Sequence, residues 1–254
     1  MVELKNLCAG YDKKQILYDV SIAFEPGKVT AIIGPNGCDK STLLKTIIGI
    51  NRKMSGEILI DGAAAETLSA RRTAQKIAYL PQSRIVPDIT VLRMVLHGRF
   101  CCLDYPRRYR EEDIKAAEDA LDKVGLAEYR HHGMASLSGG MQQNAYIAMA
   151  LAQNAPTVLM DEPTTYLDIA NRLQTMQLAR KLTAEGKSVV MVLHDLDLAM
   201  SYADRIAVMS GGRIIKYGTP DEVFESKAID EAFGIRLCRV ETDGKQIYHC
   251  VGDI

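Results

Sequence analysis

The sequence has no strong charge of either sign, no long apolar run, no paired-cysteine pattern and no internal repeat. Over 254 residues, 31 lysines and arginines oppose 32 aspartates and glutamates, for a net charge of -1. That balance gives no support for nucleic-acid binding through bulk charge. No apolar stretch approaches the roughly 20 residues needed to span a bilayer. The opening MVELKNLCAGYDKK is polar from the start and lacks the apolar core of a signal peptide, so a cytoplasmic chain is expected. Six cysteines, Cys8, Cys38, Cys101, Cys102, Cys238 and Cys250, form neither a CxxC pair nor a Cys/His metal spacing. They read as small buried or half-buried thiols in a reducing compartment, not as a disulfide framework. Vicinal cysteines such as Cys101–Cys102 rarely bridge. His131–His132 have no cysteine or carboxylate at ligand spacing and read as loop histidines.

What is present is ordinary globular composition, 47% hydrophobic and 25% charged, enough for one large domain or two small ones. VELKNLCAGY and ILYDVSIAF show partial alternation and read as strands separated by the charged turn DKKQ. PGK at 26–28 is a turn, and VTAII after it suits a strand buried on both faces. KSTLLKTIIG places Leu43, Leu44, Ile47 and Ile48 on one helical face, with Gly49 as the stop. GEILIDG is a short strand. Residues from about 84 to 150 read mostly as helix and loop. There EEDIKAAEDALDKVG carries an apolar stripe of Ile114, Ala117, Leu121 and Val124, closed by Gly125. Strand signals return as TVLM, SVVMVL and RIAVM, and AVMSGGRIIKYG reads as a hairpin with a Gly-Gly turn.

Three strings carry chemistry. GPNGCDKST, residues 34–42, lies between a strand and a helix and nearly matches the phosphate-cradling pattern GxxxxGK[ST]. There Lys40 can neutralise β- and γ-phosphates at a helix N-terminus, and the Ser41 hydroxyl can ligate Mg²⁺. VLMDEPTTYLD ends an apolar strand in Asp161, suited to positioning Mg²⁺, followed by Glu162, which could polarise an attacking water. A solvated acidic turn fits the same string. SLSGGMQQNAYIAMALA repeats the anion-site logic with Ser138, Gly139 and Gly140 before an apolar helix, and a plain helix cap fits it equally. Polar residues just past buried parallel strands are where open α/β sheets place ligands.

In this order and spacing, the strings resemble the nucleotide-binding subunits of ABC transporters over essentially the whole chain. The resemblance implies an α/β P-loop NTPase core with a mixed sheet, an N-terminal antiparallel β subdomain and an inserted α-helical subdomain. It implies one nucleotide-binding domain over 1–254, with the insertion at about 84–150 and a short C-terminal extension at about 228–254. It implies an ATP site built from Gly34, Pro35, Asn36, Gly37, Cys38, Asp39, Lys40, Ser41 and Thr42, with Tyr11 stacking on adenine. Ser41, Gln82 and Asp161 would organise Mg²⁺. Glu162 would act as general base, His194 would contact the γ-phosphate, and Asp168 of YLD would belong to the D-loop. Ser138, Gly139 and Gly140 would reach across from a second copy.

VPDITVLRMVLHGRF, DEPTTYLDIANRLQ and the segment from VLHDLDLAM to TPDEVF narrow the resemblance to the ATPases of iron-siderophore, haem and vitamin B12 importers. That implies a homodimer docked on two membrane-spanning permease subunits, at the inner face of the cell membrane. An external substrate-binding protein would feed the permease, and no nucleic acid is involved. Members working in translation or DNA repair carry tandem cassettes or a long coiled-coil insertion, and neither is present here.

Two positions depart from the family pattern. Asp39 stands where glycine is usual before the lysine. Its backbone cost is about 1 kcal/mol. Its carboxylate, at about 5 Å from a phosphate charge and an effective dielectric of about 20, repels by roughly 3 kcal/mol. A net loss of about 2–3 kcal/mol weakens binding on the order of 30- to 150-fold, whereas a carboxylate turned to solvent would cost little. Pairing of Asp39 with Lys40, drawing the lysine off the phosphates, is a further expectation. After LSGG, Met141, Gln142 and Asn144 replace the usual glutamine and basic residues, removing positive charge near an anion site. The two departures leave a weakly active or inactive nucleotide-binding or structural subunit as the alternative to an active importer ATPase.

Overall fold

The computed structural model describes residues 1–11, 14–82, 85–165, 167–242 and 245–251. The expected turn DKKQ begins at residues 12–13, and Tyr166 of YLD stands alone; all three lie outside the described residues.

Two sheets divide the molecule. The first is antiparallel and N-terminal, with strands β1 (Val2–Tyr11), β2 (Lys14–Phe24), β4 (Lys53–Ile60) and β5 (Ala63–Ala64) in the order β2-β1-β4-β5. The second is the central sheet: β3 (Val29–Ile33), β6 (Ile77–Leu80), β7 (Thr157–Asp161), β8 (Ser188–Val192), β9 (Arg205–Ser210) and β10 (Arg213–Gly218). Its order is β10-β9-β3-β8-β7-β6, parallel except for the antiparallel β9–β10 pair. Every residue of β3, β7 and β8 is buried, which is why these strands are mostly apolar, with Thr30, Thr157, Ser188 and the terminal Asp161 as the polar members. Gly211 and Gly212 both have positive φ and form the expected turn between β9 and β10. A Cβ on Gly212 would lie 1.8 Å from the Ile16 carbonyl oxygen, so only glycine lets this turn seat against β2.

The helices are α1 (Lys40–Ile47), α2 (Ala70–Lys76), α3 (Val91–Leu96), α4 (Glu111–Lys123), α5 (Gly139–Ala152), α6 (Ile169–Ala184), α7 (Leu196–Tyr202), α8 (Pro220–Ser226) and α9 (Ala228–Phe233). At eight residues, α1 is too short to persist alone. Leu43, Leu44 and Ile47 are fully buried and hold it against the sheet, each contributing about 1.5–3 kcal/mol of apolar burial. The α4 stripe is buried at Ala117 and Leu121, but Ile114 is 39% exposed, a correction to its expected core position. The face of α4 that meets α3 and α5 centres on Asp113, Ala117, Ala120 and Leu121 instead. Arg99 donates to both Asp113 and the Ala152 carbonyl, tying α4 to α5.

The segment after α9 forms a separate antiparallel hairpin, β11 (Arg236–Thr242) and β12 (Lys245–Val251), packed on α7. The described cysteines are all free; Cys250 is exposed, contrary to the expectation of buried or half-buried thiols, and Cys38 is buried. No helix among the described residues is long and apolar enough to cross a membrane.

Candidate functional site

The carboxyl ends of β3, β7 and β8 lie level. Asp161 pairs with Val192, and Val192 with Ile32. The loops leaving them carry residues 34–39, Glu162 and His194, so register alone gathers three distant strings at the carboxyl end of the sheet.

The first loop runs from β3 into α1. A Cβ on Gly34 would lie 2.2 Å from the Met209 carbonyl oxygen and 2.6 Å from Cys38 Sγ, so the chain passes where only glycine fits. Lys40 is buried and its ammonium donates to the carbonyls of Gly34 at 2.8 Å and Pro35 at 3.1 Å. No side chain caps α1, which leaves its first-turn N–H groups for an anion.

Asp39 sits at the N-cap with φ 70° and ψ 32°, the left-handed region that glycine favours. Its carboxylate does not pair with Lys40: among the described residues no ion pair joins them, and Asp39 Oδ1 instead accepts from the Thr42 hydroxyl at 3.2 Å. That hydroxyl has one proton, so at the 3.3 Å contact with Tyr11 the phenol is the donor. Asn51 Nδ2 then donates to the Tyr11 oxygen at 3.0 Å. A relay Asn51–Tyr11–Thr42–Asp39 thus fixes the aromatic beside the loop.

The second string supplies a pair of oxygens and a cage. Ser41 Oγ donates to Asp161 Oδ1 at 2.8 Å, and the Tyr79 hydroxyl donates to Asp161 Oδ2 at 3.2 Å. Burial pushes the Asp161 carboxyl up, only partly opposed by these two donors. A serine hydroxyl beside a carboxylate is a hard-oxygen donor set, which suits Mg²⁺ shared with phosphate oxygens and waters.

Glu162 adopts φ 51°, uncommon outside glycine and typical of strain stored at functional positions. Three donors surround its carboxylate: Gln82 Nε2 at 2.7 Å, Thr165 Oγ1 at 3.1 Å and His194 Nε2 at 2.7 Å. Burial raises its pKa, but the His194 contact and the Thr165 and Gln82 donors outweigh burial and hold it below the usual carboxylate range. Glu162 is therefore ionised and oriented at neutral pH.

The third string lies at the start of α5. The Ser138 hydroxyl caps the helix, accepting from Met141 N–H at 3.3 Å. Ser138 and Gly139 are exposed, and a Cβ on Gly139 would meet nothing within 4 Å among the described residues. The residues after LSGG turn inward. Met141 packs on the core, Gln142 donates to the Met134 and Leu137 carbonyls, and Asn144 donates to the Val124 carbonyl. Gln143 donates to the Pro163 carbonyl at 2.6 Å, joining α5 to the loop after Glu162. Asp168 caps α6 through Asn171 N–H at 2.8 Å.

The structure thus brings Lys40, Ser41, Gln82, Asp161, Glu162 and His194 together, with Tyr11 at the margin. It gives Ser138, Gly139, Gly140 and Asp168 no contact with that cluster among the described hydrogen bonds. The sequence does not mark Thr165, Tyr79 or Gln143. Thr165 and Gln143 lie inside strings already singled out and Tyr79 lies three residues before Gln82, but only the packing reveals where the hydroxyl or amide of each goes.

A family model described as ABC transporter matches residues 17–165. The chain is 39% identical over 233 residues to the iron(3+)-hydroxamate import ATP-binding protein FhuC of Bacillus subtilis, covering 91% of this chain and 87% of that protein. Among solved structures, it superposes on an inward-facing ABC transporter assigned to the metal-chelate type with a TM-score of 0.85 and 26% identity, covering 98% and 96% of the two chains. A dimeric ATP-binding cassette in a post-hydrolysis state with ADP and Pi gives a TM-score of 0.76 at 32% identity, covering 87% of this chain and 99% of that one. With the phosphate loop, the Asp161–Glu162 pair and the LSGG helix in one fold, the chain belongs to the ABC transporter family as one of its ATP-binding cassettes.

Proposed function

We propose that this chain is the ATP-hydrolysing subunit of an importer for chelated iron or a related metal chelate. The observation that carries the proposal is Glu162, ionised and held by Gln82, Thr165 and His194 beside the Ser41–Asp161 pair. The hydroxamate-importing relative and the metal-chelate type of the structural neighbour support the cargo class.

In the proposed mechanism most of the work is positioning and charge stabilisation. Lys40 exchanges its loop carbonyls for phosphate oxygens, and the N–H groups of α1 receive the β-phosphate. Tyr11, fixed by Thr42 and Asn51, offers its ring to the base. Mg²⁺, held by Ser41 and Asp161 with Gln82 alongside, would neutralise charge across the β- and γ-phosphates. Glu162 accepts a hydrogen bond from the attacking water and draws its proton, while His194 steadies the glutamate and faces the γ-phosphate. Ser138, Gly139 and Gly140 of a second copy complete the cage, so the working form is a homodimer. The dimer docks on two permease subunits at the inner face of the membrane. The helical segment at about 84–150, an insertion within the one domain, serves as the docking surface for the permease.

The test is ATP hydrolysis and chelate uptake by the assembled transporter, with wild type and Glu162→Gln side by side. Loss of the base is expected to slow hydrolysis by about 10²- to 10⁴-fold while nucleotide still binds. A wild-type rate no higher than that of the variant would overturn the active-enzyme reading.

A further inference from the structure

We infer that Tyr79 is a positioning residue for the metal site, its hydroxyl fixing the plane of the Asp161 carboxylate. The inference rests on the proposed function, in which Asp161 helps hold Mg²⁺.

Both oxygens of Asp161 are engaged, and from different elements. Oδ1 takes the Ser41 hydroxyl from α1, and Oδ2 takes the Tyr79 hydroxyl from β6. The terminal torsion of an aspartate is broad and two-fold, so one donor alone leaves the group free to rock. Two donors on opposite oxygens hold it in one plane. The residue is buried, so a donor lost here is not readily replaced by bulk water.

The sheet explains the reach. Tyr79 pairs with Leu159 on the neighbouring parallel strand, two residues before Asp161. A tyrosine at that diagonal spans the gap with its phenol oxygen, and a shorter side chain would not. Its ring is half-buried against the N-terminal core and forms part of the wall of a cavity of about 730 Å³, together with Ile47 and Gln153. The hydroxyl bond to Asp161 ties the free end of that ring to the carboxylate. In the proposed role Tyr79 acts on the metal site through its bond to Asp161.

The experiment uses the full chain with Tyr79→Phe, which keeps the ring and removes the hydroxyl, and with Asp161→Asn in parallel. A fluorescent ATP analogue is titrated at rising MgCl₂ and, separately, in EDTA. For Tyr79→Phe the half-saturating Mg²⁺ concentration is expected to rise about tenfold, the effect of losing one hydrogen bond to a carboxylate, while affinity in EDTA stays within about twofold. Asp161→Asn should lose most of the Mg²⁺ dependence. If Tyr79→Phe matches wild type while Asp161→Asn is impaired, the role of Tyr79 is overturned. If affinity falls equally with and without Mg²⁺, Tyr79 serves general packing and the inference is likewise overturned. An Asp161→Asn protein with wild-type Mg²⁺ dependence overturns the metal reading on which the inference stands.

Discussion

Asp39 concentrates the opposing terms at the scale of one residue. Its φ of 70° is costly for a residue with a Cβ, but Asp is among the more tolerant, so the backbone penalty is about 1 kcal/mol. The Thr42 hydroxyl holds the carboxylate through a neutral donor worth about 1 kcal/mol, and among the described residues no ion pair neutralises it. Repulsion from a phosphate, roughly 3 kcal/mol at about 5 Å and an effective dielectric of about 20, therefore exceeds both. The relay through Thr42 to Tyr11 recovers part of the loss by fixing the aromatic. Asp39→Gly is expected to bind Mg-ATP at least tenfold more tightly than wild type by equilibrium titration. Equal affinities would remove the electrostatic account and assign the loop its full strength as it stands.

Among the elements, legibility followed locality. Strand β3, the helix α1 and the Gly-Gly turn each carry their own signal: an apolar run, a stripe with a stop, two positive-φ glycines. Helix α2 and strands β6, β11 and β12 were not read as separate elements. The first has no buried residue, β6 is four residues long at a sheet edge, and the hairpin exposes Val240 and Ile247. The expected α4 stripe shares Ala117 and Leu121 with the buried face but places Ile114 where Asp113 lies, because the partner of that buried carboxylate is invisible in sequence. Asp113 is buried, accepts from Arg110 N–H at 3.0 Å and from Arg99 Nε at 2.9 Å, and Arg99 lies 14 positions upstream.

That partner gives α4 a pH signature. Burial raises the Asp113 carboxyl, but the Arg110 N–H and the Arg99 guanidinium outweigh it and hold the group below its ordinary 3.8. A depressed folded pKa means the contribution is complete above the unfolded value and is lost as pH falls through 3.8 toward the folded one. Asp113→Asn is expected to cost about 2 kcal/mol in urea unfolding at neutral pH. The gap between the two proteins should close below the ordinary carboxylate pKa, about 3.9. A gap unchanged on acidification would mean that the pair contributes shape and not charge.

For the whole molecule, the two halves of the proposed cage point outward from one chain. Lys40 and the α1 N-terminus lie at the carboxyl end of the central sheet, while Ser138 and Gly139 stand exposed at the start of α5. Among the described residues nothing requires glycine at position 139, since an added Cβ meets no neighbour within 4 Å. A requirement there must come from outside the chain, and one structural neighbour is a dimeric cassette with ADP and Pi. An acidic residue there separates the cases. Gly139→Asp puts a carboxylate in the first turn of α5, where the helix dipole favours it, so the isolated chain should keep its stability within about 0.5 kcal/mol. Across a dimer the same carboxylate would face the γ-phosphate and repel it. In a Glu162→Gln background, which blocks turnover, sedimentation with ATP is expected to show a dimer. Adding Gly139→Asp should return it to monomer, with nucleotide binding to each chain retained. A Gly139→Asp protein that still dimerises with ATP would mean that each chain holds its nucleotide alone, and that α5 is only capped by Ser138, not built to reach a partner.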